Sequence, residues 1–264
     1  MRLPGADTLH AEWTKTRTVA STGWLLLAVI ALTVAVGAAA AAGTSCPSGT
    51  ACRVDPAKVS LTGIDLGQAI VAIVAVLAIS NEYSTGMIRV TLAAMPRRGL
   101  VLAAKAALVT GLVLVAGAVG VLGSLLAGRL MLPGQGYTVA RGFTALSLGD
   151  GPMLRATAGS VLYLGLIALL SLGVAALVRE AAVAIGVTLG LLYLFPIIAA
   201  VVSADPHWQR HLEQIGPMQA GLYIQATTNL PALPLSPWAG LGVLALWACG
   251  ALVLGTLSLR LRDA

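Results

Sequence analysis

The sequence predicts an all-α polytopic membrane protein, a single 1–264 transmembrane domain with six membrane-crossing helices. Three observations carry that expectation. Of 264 residues, 58% are apolar and only 10% are charged, at a mean hydropathy of +0.92, more grease than one soluble core can hide. The apolar residues fall into six runs near 20–42, 61–80, 106–128, 157–178, 181–202 and 238–259. Each approaches or exceeds the ~20 residues that cross a ~30 Å hydrocarbon layer as a helix, whereas a barrel strand needs only ~10.

Residues 1–19 are polar and amphipathic. Trp13 between Glu12 and Lys15 suits a short elbow helix on the interface, with the ring at headgroup level and the cation toward phosphate. The first run is longer than the ~7–15 residues of a signal-peptide core, so it reads as a retained span. Cys46 and Cys52 flank PSGTA in the loop that follows, either as a disulfide or as two free thiols. In the second run Asp65 and Gln68 stand one turn apart. An intramembrane carboxylate marks a functional site by default, here part of a translocation path, although so near the interface it also suits a structural contact.

Between the second and third runs lies SNEYSTGMIRVTLAAMPRRGLVLAAK, residues 80–105, with five charged side chains. A helix from Thr85 spreads Met87, Ile88, Val90, Leu92 and Met95 over one apolar arc opposite Arg89, and Pro96 ends it before Arg97 and Arg98. The loop either enforces topology or is read by a partner.

The connection 129–152 is Gly-rich and offers no nameable chemistry. Within the fifth run Pro196 removes a backbone donor and predicts a kink, and Gly186 and Gly190 form a GxxxG that admits close helix approach. In the last connection WQRHLEQI sets Trp208, Leu212 and Ile215 on one face of a short surface helix, before LPALPLSP predicts an extended return. His207 and His211 share its i, i+4 spacing without further ligands and read as solvated.

Orientation follows the cations. With both termini cytoplasmic, the inner segments hold Arg2, Lys15, Arg17, Arg89, Arg97, Arg98, Lys105, Arg179, Arg260 and Arg262, and the outer ones Arg53, Lys58, Arg129, Arg141, Arg155 and Arg210. The +6 net charge then serves topology and anionic lipid, and no nucleic-acid partner is expected. No imidazole lies within a run, no GxxxxGK[ST] occurs and no carboxylates cluster, so neither an enzyme nor a metal site is expected.

The run NEYSTGMIRVTLAAMPRRGLVLAAK resembles the first cytoplasmic loop of exporter-type ABC permeases, the ABC type-2 family, whose pattern is E-Y-x-x-G-T-x-R followed by a Leu-Ala stretch, Pro, basic residues and Lys. Met87 stands where that pattern has Thr. AEWTKTRTVASTGWLLLA resembles the elbow and first span of such permeases in high-GC actinobacteria, and DPHWQRHLEQIGPMQAG resembles their loop before the last span.

The resemblance implies a permease subunit in a bacterial plasma membrane, paired with a second permease copy or paralogue and driven by a separate ABC ATPase. That partner would bind ATP and magnesium, and this chain would bind no cofactor. Glu82, Tyr83, Gly86, Arg89, Pro96, Arg97 and Arg98 would be the coupling element, and Glu12, Trp13 and Lys15 the elbow. The alternative expectation is a non-transporting membrane anchor or sensor whose charged loop docks a regulatory protein.

Overall fold

The computed structural model describes residues 13–14, 20–47, 54–87, 98–138, 143, 146–201 and 206–261. It is all-helical, with no strand among the described residues, and six stretches are long and apolar enough to cross a membrane. Helix α1 is Ala20–Gly43. The second crossing is built from α2, Pro56–Leu61, and α3, Ile64–Ser84. The third to sixth are α4 (Arg98–Met131), α5 (Gly151–Val178), α6 (Ala181–Val201) and a C-terminal helix. Before that last helix come α7, Pro206–Ile215, and α8, Pro217–Leu222; α9 is Pro237–Leu261.

The helices outrun the apolar stretches that announce them. Helix α4 has 34 residues, about 51 Å at a rise of ~1.5 Å per residue, against a lipid core of ~30 Å. Hydropathy locates only the part in lipid, whereas the backbone ladder continues through Arg98 at one end and Arg129 at the other. Likewise α5 begins at Gly151, with Pro152 in its first turn, where a missing N–H costs nothing, and so takes Arg155 into the helix.

Helix α5 is the central post. It packs most extensively on α9, then on α3 and α4, while α1 leans on α4 and α3. Tyr163, Leu164, Ile167, Leu170 and Leu172 of α5 are fully buried or nearly so. Two glycines let backbones touch. A Cβ on Gly63, in the turn between α2 and α3, would lie 1.9 Å from the Thr33 carbonyl oxygen of α1, and one on Gly173 of α5 would lie 2.5 Å from the Ala251 carbonyl carbon of α9. Any side chain at either position would have to displace main chain. Ser124 Oγ of α4 donates to that same Thr33 oxygen at 2.8 Å, satisfying inside the bundle a group that lipid cannot.

Helix α6 is different. Only Ala184, Thr188, Leu192 and Ala199 are buried, and a Cβ on Gly186 or Gly190 would meet nothing within 4 Å. The glycine pair therefore faces no other described part of this chain. The helix runs unbroken through Pro196.

The final connection is more structured than its sequence predicts. Helix α7 forms over the amphipathic stretch, with Trp208 and Ile215 exposed. Helix α8 and a 3-10 turn at Tyr223–Gln225 fold back into the bundle, and the extended return expected over LPALPLSP is corrected in part: it opens with a 3-10 turn at Leu230–Ala232 before Leu233 becomes extended. Met218, Ala220, Ile224 and Gln225 are buried in the part before that stretch, whereas no residue of the Leu230–Ala232 turn is buried. The connection after α4 is also partly packed. Leu132 and Tyr137 join Ala41 and Cys46 in a small separate core, and Tyr137 meets Phe143 edge-on at 4.9 Å.

Candidate functional site

Two polar clusters occupy opposite ends of the bundle. One gathers at the end where α3 finishes and α4 begins. Glu82 and Lys105 are buried, and Lys105 Nζ donates to Glu82 Oε1 at 2.9 Å. Removing either partner would take this bond from a buried charge, at a cost of about 3–5 kcal/mol. The bond ties the last turn of α3 to the second turn of α4, so both roots of the 85–97 connection are fixed to one another.

Next to it the Arg179 guanidinium lies over the Tyr83 ring, 5.6 Å from its centroid, and Arg179 Nη2 donates to the Ser258 carbonyl of α9 at 2.8 Å. Arg179 closes α5 with φ +67°, a left-handed conformation disfavoured for a residue with a Cβ. That geometry turns the chain at once into α6, whose first amides Ala182 and Val183 donate to the Glu180 carboxylate at 3.0 and 2.6 Å. The ends of α3, α5 and α9 and the start of α4 are thereby joined through side chains.

Of the sequence-predicted coupling residues, Glu82 is in this cluster and Tyr83 borders it. Gly86 is exposed, with φ +69° and open space around it, and is the point where the chain leaves α3. Arg98 begins α4. Arg89, Pro96 and Arg97 lie outside the described residues, as do Glu12 and Lys15 of the elbow. Trp13 is helical and 47% exposed.

Sequence reasoning names Lys105 without its partner and leaves Arg179 as a topology charge. The signal for both is a cation at the root of an apolar run, where only a protein partner or an interface suits it.

The second cluster lies at the other end, at the start of α3. Gln68 is fully buried; its Nε2 donates to the Asp65 carbonyl at 3.0 Å and faces Met218 Sδ of α8 at 3.1 Å. The Tyr163 hydroxyl of α5 donates to Gln68 Oε1, and the Tyr193 hydroxyl of α6 donates to the Asp65 carbonyl oxygen. One amide side chain thus joins α3, α5 and α8, and Tyr193 adds α6. Asp65 itself is half-buried, and no hydrogen bond or ion pair reaches its carboxylate from any described residue. The sequence pair Asp65 and Gln68 is therefore split: Gln68 is a structural hub, and the Asp65 carboxylate bonds to no described residue.

Nearer that end, Asp55 holds the final connection in place. It accepts from Ala57 N at 3.0 Å as the N-cap of α2, and from Thr227 N, Thr227 Oγ1 and Thr228 N at 2.6, 2.8 and 3.1 Å. Arg155 Nη2 of α5 donates to the neighbouring Ala226 carbonyl at 2.6 Å. Tyr223 donates to Glu213 of α7 at 3.1 Å, and burial, then the Glu213 charge and this bond, hold its phenol well above the ordinary tyrosine range.

No protein-family model and no curated protein matches the chain. Cys46 is buried and disulfide-bonded, Cys52 lies outside the described residues, and Cys249 is a free exposed thiol on α9. His211 is exposed on α7, and no group of three or more metal-binding side chains occurs among the described residues.

Proposed function

We propose that the chain is the membrane-spanning permease subunit of an ATP-driven ABC exporter, working in a bacterial plasma membrane as a dimer with a second copy or paralogue and powered by a separate ATPase subunit. The observation that carries this reading is the buried Glu82–Lys105 bond, since it sits at the roots of the one loop whose sequence resembles a coupling element. A connection that only enforced topology would need cations facing headgroups. It would not need a desolvated ion pair bracing the two helices it joins, which is costly unless rigidity there has a use.

In this reading both termini are cytoplasmic and the ATPase grips residues 85–97. Its nucleotide-driven movement reaches α3 and α4 together, because their ends are pinned by Glu82 and Lys105, and reaches α5 and α9 through Tyr83, Arg179 and Ser258. ATP acts on this chain only to the extent that the partner binds its two conformations with different affinity.

Affinity purification of the tagged full chain from its native membranes after mild cross-linking tests the proposal. A P-loop ATPase is expected as the major cross-linked partner through residues 85–97, and Glu82→Ala or Arg89→Ala should lower ATPase stimulation at unchanged membrane levels. Recovery of a regulatory protein in place of an ATPase would favour the anchor-or-sensor alternative and sink the transporter reading.

A further inference from the structure

The Asp65 carboxylate has no role in the packing just described. Its backbone is fully committed: the amide donates to the Thr62 carbonyl at 3.0 Å, and the carbonyl receives Gln68 and Tyr193. These bonds hold the first turn of α3 rigidly, and leave the carboxylate as the one polar part of the residue without a hydrogen bond or ion pair among the described residues. Lys58, two turns earlier, is exposed and forms no ion pair with it, its charge acting on the carboxylate only from a distance.

A first-turn position gives an acid some help from the helix dipole, but that effect is small beside the cost of an unpaired charge in a low-dielectric layer. Apolar surface continues from the carboxylate along α3. Leu66 is 47% exposed, and Ala69 and Ile73 beyond it are half-buried. An anion at the head of an uncovered apolar strip is complementary to a molecule with a cationic head and a greasy body.

We infer that Asp65 is the anionic anchor of a binding site for lipophilic organic cations, with the cation on the carboxylate and the apolar body along Leu66, Ala69 and Ile73. The inference rests on the transport reading for its purpose, but binding requires only this chain. A cation enters because it supplies a direct counter-charge, which Lys58 gives only from a distance, so a neutral molecule of the same shape binds less well. The recognised group is a permanent or protonated organic cation, free or on a lipid headgroup.

The probe is tetraphenylphosphonium, titrated against the full chain in nanodiscs of phosphatidylglycerol without any ATPase present. Saturable binding is expected, weakened by about tenfold or more in Asp65→Asn, where the charge is lost, and largely kept in Asp65→Glu. Adding phosphatidylethanolamine assigns the native occupant: competition points to the headgroup amine, its absence to a free cation.

A second measurement needs no variant. Labelling of wild-type Asp65 by dicyclohexylcarbodiimide, read by mass spectrometry, should fall as the probe saturates. Binding that is not saturable or is equal in Asp65→Asn, or labelling that is absent or indifferent to the probe, overturns the inference. Failure to recover an ATPase would instead overturn the exporter reading and leave these binding results standing.

Discussion

At the residue scale the described part of the chain separates charges that brace from one that does not. Glu82 and Lys105 bond one another deep in the bundle end, Asp55 spends its carboxylate on a loop, and the half-buried Asp65 carboxylate makes no hydrogen bond or ion pair with a described residue. The bracing pair yields a double-mutant cycle. Lys105→Met alone should destabilise the detergent-solubilised chain by about 3–5 kcal/mol because the buried Glu82 carboxylate loses this ion pair, whereas Lys105→Met with Glu82→Gln should recover most of that loss. Reversible unfolding followed by tryptophan fluorescence measures both. With Glu82→Gln alone as the second single variant, a double-variant loss equal to the sum of the two single losses would mean that the pair is not coupled. The sequence makes both charges visible at the roots of apolar runs, but the bond itself joins residues 23 apart across an intervening loop. No periodicity reports it.

At the element scale the apolar runs were legible because lipid imposes a long, nearly charge-free stretch on any helix that crosses it. The amphipathic α7 was legible for a related reason, since Trp208, Leu212 and Ile215 repeat at helical spacing. Neither signal reaches α8, which is only six residues long. The link from Gln68 to Tyr163 is equally hidden: it spans 95 residues and depends on how α3 and α5 are packed. Glycines differ in the same way, because sequence alone does not tell a contact from an open surface. Gly173→Ala should destabilise the bundle by about 1–3 kcal/mol, since the added methyl meets α9 backbone, whereas Gly186→Ala should be neutral or stabilise by up to ~1 kcal/mol through helix propensity. Thermal unfolding of the two variants side by side checks the contrast, and similar shifts would contradict the packing.

At the scale of the whole molecule the two ends are tied differently. One end is braced by side-chain contacts among α3, α4, α5 and α9. The other is capped by the final connection, held by Asp55 and Arg155. Asp55→Ala removes charge-assisted bonds of about 1.5–3 kcal/mol, so the amides of Thr227 and Thr228 should exchange with deuterium about ten- to a hundredfold faster. Exchange mass spectrometry on the intact chain reads this directly, and unchanged rates would show that buried Ile224 and Gln225 hold the cap unaided.

Helix α6 carries a consequence of its own. With few buried side chains and no described neighbour at Gly186 and Gly190, it is moored mainly by α5, α3 and the following α7, and through the Tyr193 hydroxyl to α3. Tilting it disturbs fewer interlocked neighbours than moving any helix seated on the central post. A molecule that settled beside Asp65 would press on that mooring, so the easiest wall to swing is also the one next to the open acid.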